Sequence, residues 1–327
     1  MSVENHSDLF EHYDFTASSG QTPLRVDKFL MNFIENASRN KIQKAAQSGN
    51  ILVNNQSVKS SHKVKAGDKV SVVYSYPKQT NELIPQNIPI NIQYEDKDLL
   101  IVNKEAGMVV HPGFGNYDGT LVNALAYHFD NLPNKSDENR PGLVHRIDKN
   151  TSGILVVAKN DESMLKLSKK FEQRDLDRLY VALVWGDVKE DSGTINGHIG
   201  RSLKNRKIMS VFPDGEYGKH AITNYKVIER FGYVTMVECK LETGRTHQIR
   251  VHMNYLGNSI VGDDKYKKRF KKIKNISPTL KKKLMNLGRQ FLHAKIIGFI
   301  HPKKEEEMIF DSILPQELEI ILKTLRK

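Results

Sequence analysis

LVHRIDKNTSGILVVAKN, residues 143–160, is the stretch from which the rest of the chain is best read. An imidazole, a guanidinium and a carboxylate (His145, Arg146 and Asp148) precede a polar turn, Asn150-Thr151-Ser152-Gly153, which leads into the apolar run Ile154–Ala158. A short apolar run bounded by turn residues predicts a strand. It places Asp148 at the mouth of a sheet beside a cation that can keep it ionised, as in a functional cleft. Residue type alone leaves a plainer reading open, because an aspartate in a polar turn next to an arginine is commonly a turn-stabilising or ion-paired group.

Working outward, similar strand-like runs recur on both sides: INIQYED (90–96), LLIVNKE (99–105), LYVALVWG (179–186), AITNYKVIER (221–230), YVTMVECKLE (233–242) and KIIGFI (295–300). Helical patterns lie between them: TLVNALAYHF capped by Thr120, DESMLKLSKKFEQR capped by Asp161, HQIRVHMNYL closed by Gly257, and the C-terminal PQELEIILKTLRK. Strands outnumber helices and do not alternate with them regularly. The fold class expected for residues 89–327 is therefore α+β, with a mixed, largely antiparallel sheet.

PKQTNELIPQNIP, at 77–89, holds three prolines and no periodicity, so residues 77–88 read as a linker. Before it, residues 21–76 make a second, small unit. Leu24, Phe29, Leu30, Phe33 and Ile34 repeat at helical spacing, and Ser38 can cap a further helix through Ile42 and Ala46 to Gly49. Short β-prone runs follow, broken at Asn54-Asn55 and Ala66-Gly67-Asp68. Residues 1–20 read as an acidic tail.

The chain has 327 residues and a formal net charge of +12, unevenly placed. Residues 1–20 carry four acids and no Lys or Arg, residues 21–80 ten bases against three acids, and residues 265–290 eleven bases and no acid. Two basic zones point to a polyanionic partner, since Lys and Arg gain most by neutralising phosphates and releasing counterions. Neither zone has the apolar face with aromatic anchors that a membrane surface requires. A single cysteine, Cys239, cannot form an internal disulfide, and the acidic N-terminus is unlike an export signal; both fit a cytoplasmic protein.

Several active-site patterns are missing. There is no GxxxxGK[ST] loop and no GxSxG elbow, the glycines of HPGFGNYDG break the dinucleotide fingerprint, and His247 and His252 lie five apart without the glutamate of a helical zinc pair. Neither a metal nor a nucleotide cofactor is expected. A second concentration of function-type residues does appear, LETGRTHQIRVHMNYLG at 241–257, where Arg245 and Arg250 sit at the passage from a strand end into a helix, a place suited to holding anions.

HRIDKNTSG, RLYVALVWG and GRTHQIRVHMNYLGNSIVGDDKY, in this order, resemble the motifs of the RluA family of RNA pseudouridine synthases, and NKEAGMVVHPGFGNYDGTLVNAL and GRQFLHAKIIGFIHP resemble its flanking segments. RVDKFL, SRNKIQKAAQSGNILVNNQSVK and KVKAGDKV resemble the RNA-binding module named after ribosomal small-subunit protein four. The resemblance spans residues 22–327 and is greatest to the branch acting on large-subunit ribosomal RNA, with precursor ribosomal particles a further expected partner. It implies a pseudouridine synthase fold and four site residues. Asp148 would be the catalytic carboxylate, Arg146 would enter the RNA beside the extruded nucleotide, Tyr180 would stack on the flipped base, and Arg245 would pair with Asp148. Ile147, Arg178, Glu105 and Lys267 depart from the family's usual residues. A transfer RNA synthase, a non-catalytic RNA-binding or ribosome-assembly protein on the same scaffold, and a hydrolase releasing free uracil are the alternative readings.

Overall fold

The computed structural model describes residues 10–34, 37–74, 83–113, 115–129, 132–133, 141–267 and 276–327. The chain divides into two compact units, residues 1–81 and 82–327.

In the first unit, β1 (Phe10–Thr16) and β2 (Leu24–Arg25) precede α1 (Val26–Phe33) and α2 (Arg39–Gln47), followed by β3 (Ile51–Val53), β4 (Gln56–Ser57), β5 (Lys63–Val64) and β6 (Lys69–Tyr74). β1, β6, β3 and β4 form one sheet in that order, and β2 pairs with β5. Val26, Phe29, Leu30, Ile42, Ile51, Val64 and Val70 make its core. Ser38 caps α2 by accepting from the Lys41 N–H, and Gly49 beyond the helix takes φ +76°, a conformation that favours glycine. Both residues of the Asn54-Asn55 turn also have positive φ. The acidic stretch is not simply a tail: residues 10–16 pair with β6, and Asp14 lies 3.1 Å from Lys69 and accepts a bond from the Ser71 hydroxyl. Asp14 there answers a base across the ladder, which a one-dimensional charge count cannot show.

The second unit runs β7 (Ile92–Glu95), β8 (Leu99–Lys104), α3 (Leu121–His128), β9 (Ser152–Ala158), α4 (Asp161–Gln173), β10 (Asp177–Trp185), β11 (Ser192–Arg201), β12 (Met209–Phe212), β13 (Lys219–Arg230), β14 (Val234–Leu241), α5 (Gln248–Leu256), α6 (Pro278–Met285), β15 (Leu292–Ile300), β16 (Glu307–Asp311) and α7 (Gln316–Leu325). Its sheet has the order β12-β11-β13-β14-β10-β15-β9-β8-β7, with β16 also on β15. All described pairings are antiparallel except β9 with β15. The α+β expectation therefore holds.

Local signals set most boundaries. Thr120 and Asn123 form a reciprocal capping box at α3, and Gly257 ends α5 with φ +106°. α4 is capped one residue earlier than expected: the Asn160 side chain accepts from the Ser163 N–H, so Asp161 is the first helical residue. α6 falls within the basic zone, yet Leu280 and Leu284 are buried in the main core and leave its lysines outward. The proline-rich segment is tied down at its end, where Ile84 O accepts from the Asn123 amide and Gln86 bonds both the Asn123 carbonyl and the Gly119 N–H.

Candidate active site

Asp148 sits in the loop between residue 145 and β9, and each backbone carbonyl from 148 to 150 is held. Asp148 O accepts from the Thr151 N–H, Lys149 O from the Gly107 N–H and from Lys104 Nζ, and Asn150 O from Arg289 Nη1. Ile147 anchors the loop in the core, while the Asp148 side chain keeps 18% exposure. Lys104 is buried, and its three ammonium hydrogens face three carbonyls, those of Glu105, Met108 and Lys149. Burial pushes its pKa down to about 7, against the opposing pull of Asp148.

The cation paired with Asp148 is Arg250, not Arg245. Arg250 Nη1 lies 3.0 Å from Asp148 Oδ2, and the same guanidinium grips buried Asp263 through Nε at 2.6 Å and Nη2 at 2.9 Å. Burial works against the charge on Arg250, but the bonds and charge of Asp263, joined by Asp148, raise its pKa on balance. Arg245 precedes α5, where its Nε donates to the His220 carbonyl at 2.9 Å and its N–H to Gln248 Oε1. Arg250 is the third residue of α5, so the helix carries it across to the loop of Asp148. Nothing in the sequence ranks the two arginines; Asp263 within GDDKY was the missing partner.

Arg146, Asp148, Tyr180 and Arg245 all line one cleft, whose apolar lining includes Leu241, Ile249 and Leu292. Arg146 is exposed at its lip, with Nη1 3.2 Å from His111 Nε2. Tyr180 comes from β10 and is nearly buried; burial raises its phenol pKa, Arg178 opposes this and Asp148 adds to it, so Tyr180 is a neutral phenol at physiological pH. A larger depression shares Arg146, Asp148 and His247 with the cleft and adds His111, Lys149, Arg250 and Lys265. Asp148 thus stands between an aromatic-lined slot and a basic surface.

One residue of β15 brings these pieces together. Ala294 is the register partner of Tyr180 on one side and of Gly153 on the other. Gly153 has φ +115°, and a Cβ there would lie 2.1 Å from the Ala294 carbonyl, so only glycine permits this close parallel contact.

His247, the residue before α5, holds a left-handed φ of +57°, and its Nδ1 is 2.7 Å from the Tyr266 hydroxyl. Among the described residues, Asp96, Asp98 and His301 come closest to a metal-ligand set. Their acceptors are engaged by the chain itself: Lys304 Nζ is 3.0 Å from Asp96, Lys303 Nζ is 3.2 Å from Asp98, and His301 Nδ1 accepts two backbone N–H bonds.

Comparison with known proteins gives the family. Residues 98–255 match the model of the RNA pseudouridylate synthase family, and residues 24–70 match the S4 domain. An uncharacterized RNA pseudouridine synthase of Chlorobaculum parvum is 45% identical over 315 residues, covering 94% of this chain and 96% of its own. This chain belongs to the RNA pseudouridine synthases. The synthase is also 40% identical to ribosomal large subunit pseudouridine synthase D of Zymomonas mobilis, over 92% of this chain and 93% of that one. A solved structure of human RNA pseudouridylate synthase domain containing 1 superposes with a TM-score of 0.54 at 26% identity, covering 74% of the synthase and 96% of the human chain. Among the described residues, no helix of the synthase is long and apolar enough to cross a membrane.

Proposed function

We propose that this RNA pseudouridine synthase isomerises uridines in large-subunit ribosomal RNA, with Asp148 as the catalytic carboxylate. The observation that carries the assignment is the position of Asp148, fixed by Arg250 and open to a cleft floored by Tyr180. Support for the ribosomal substrate comes from relatives, matched over most of both chains, named ribosomal large subunit pseudouridine synthase D in Zymomonas mobilis and Xanthomonas campestris.

The isomerisation breaks the C1′–N1 bond, turns the uracil and rejoins it through C5, with no atom added or lost. The nucleotide must first leave the RNA stack, at a cost of a few kcal/mol. Arg146, at the cleft lip, would fill the gap it leaves, and Arg245 would contact the RNA backbone. The ring of Tyr180 would stack on the uracil. Asp148, held by Arg250, would act on the ribose, either attacking C1′ or taking a sugar proton. The S4 domain would add a non-catalytic grip on structured RNA.

The test is pseudouridine mapping of ribosomal and transfer RNA from a strain lacking the gene, complemented with wild type or Asp148→Asn. Sites lost from large-subunit RNA and restored only by wild type are expected. Loss confined to transfer RNA would overturn the substrate, and restoration by Asp148→Asn would overturn the role of Asp148.

A further inference from the structure

Arg178 is a buried cation with no counterion among the described residues. It lies two residues before Tyr180 on β10, hence on the same strand face, and lines the same cleft. It is 7% exposed. Its Nε has no hydrogen-bond partner, and Nη2 reaches the carbonyls of Leu241 and Glu242 only at 3.5 Å, the outer limit for such a bond. Among the described residues no carboxylate pairs with it. Its guanidinium rests 5.3 Å from the centre of the Phe171 ring, and Gly244 makes room for it, since a Cβ there would come within 2.9 Å of Nη1.

Arg250, in the same site, is held by two carboxylates. An arginine buried without one is costly and is retained where an anionic group arrives to meet it. The reaction supplies such a group. When the C1′–N1 bond breaks, its electron pair stays with the uracil, and the negative charge spreads over N1, O2 and O4. C5 then returns an electron pair to C1′, the C5 proton leaves and N1 gains a proton, so charge and atoms balance. Between the two bond changes the free base is an anion, and Tyr180 places its ring plane within the cleft that Arg178 lines.

We infer that Arg178 is a further catalytic residue, whose guanidinium stabilises the uracil anion released in the cleft. This rests on the pseudouridine synthase reading. Its role differs from that of Arg250, which serves the carboxylate. It also accounts for the missing counterion, because a fixed carboxylate would neutralise the field that the departing base needs.

The experiment compares wild type, Arg178→Met and Arg178→Lys in single-turnover reactions on large-subunit ribosomal RNA transcribed with uridine or with 5-fluorouridine, following consumption of the nucleoside in digests. Fluorine makes the uracil a better leaving anion, which therefore depends less on a cation. With uridine, Arg178→Met should lose about 100- to 1,000-fold in rate. With 5-fluorouridine the loss should be clearly smaller, and Arg178→Lys should fall between wild type and Arg178→Met. Equal losses on both substrates, or a wild-type rate in Arg178→Met, would overturn the inference. Should Arg178→Met fail to fold, Arg178→Lys decides alone: the same fractional loss on both substrates overturns it. Absence of turnover by wild type on this RNA would instead refute the large-subunit substrate given under the proposed function.

Discussion

Replacing Arg250 by Met separates two roles that the sequence could not assign. At an effective dielectric of ~20, charges about 3 Å apart attract by about 5 kcal/mol, and desolvation cancels much of this. Arg250 holds two such partners, at 3.0 Å (Asp148) and 2.6 Å (Asp263), the second with its side chain fully buried. Removing the cation leaves Asp263 buried and uncompensated, at a cost of about 3–5 kcal/mol. At ~2–4 °C per kcal/mol for a domain of this size, the melting temperature should fall by ~6–20 °C. Turnover should fall by ~100-fold or more, because Asp148 loses the bond that fixes its position. Arg245→Met loses a single bond to the His220 carbonyl, worth about 1 kcal/mol, and its defect should appear in RNA binding more than in turnover. In the double variant Arg250→Met/Asp263→Asn, part of the stability should return without activity, since the orphaned charge is gone but Asp148 is still unsupported. Scanning calorimetry and tritium release from C5-labelled uridine RNA measure both quantities. Turnover lost with Arg245→Met but kept with Arg250→Met would refute the assignment.

Two further outcomes follow from local geometry. Gly153→Ala should cost about 3–4 kcal/mol in urea unfolding, because the new Cβ meets the Ala294 carbonyl in a backbone conformation that alanine avoids; a change under roughly 1 kcal/mol would mean that β15 yields easily. In the first unit, the Arg25 hydrogen bond, outweighing burial and helped by Gln43 and Arg39, holds the Asp27 carboxyl well below the usual range. A depressed carboxylate stabilises above its unfolded pKa of about 4, and that contribution is lost as pH falls through the folded value. The protection factors of the α1 amides, taken relative to their intrinsic exchange rates at each pH, should fall in acid for wild type, and Asp27→Asn should flatten that dependence while weakening the unit at neutral pH. An identical acid profile in both proteins would count against this charge cluster.

Much of the architecture was legible because its causes are local. Ser38 and Thr120 cap helices by bonding the N–H groups of Lys41 and Asn123, and Gly49 and Gly257 supply the left-handed turns that end them. The missed elements have weaker local causes. β11 carries Gly193, Gly197 and Gly200, and the ideal Cβ positions at these glycines already crowd Tyr225, Val211 and Tyr217, so β11 is a strand because its neighbours pack onto it.

The site divides along the same line. From its own residues the sequence singled out the stretches around Asp148 and Arg245, and the family resemblance added Arg146 and Tyr180 as members of one expected centre; all four line one cleft. Only the tertiary structure decided which cation serves Asp148, because that choice depends on α5 carrying Arg250 across 102 positions to meet two carboxylates at once. Burial, likewise, has no sequence signature: Lys104 and Arg178 look like surface bases until the sheet encloses one among three carbonyls and leaves the other facing the cleft. Period, caps and turns follow from neighbours a few residues apart, whereas the electrostatics of a cleft follow from what the core excludes from water.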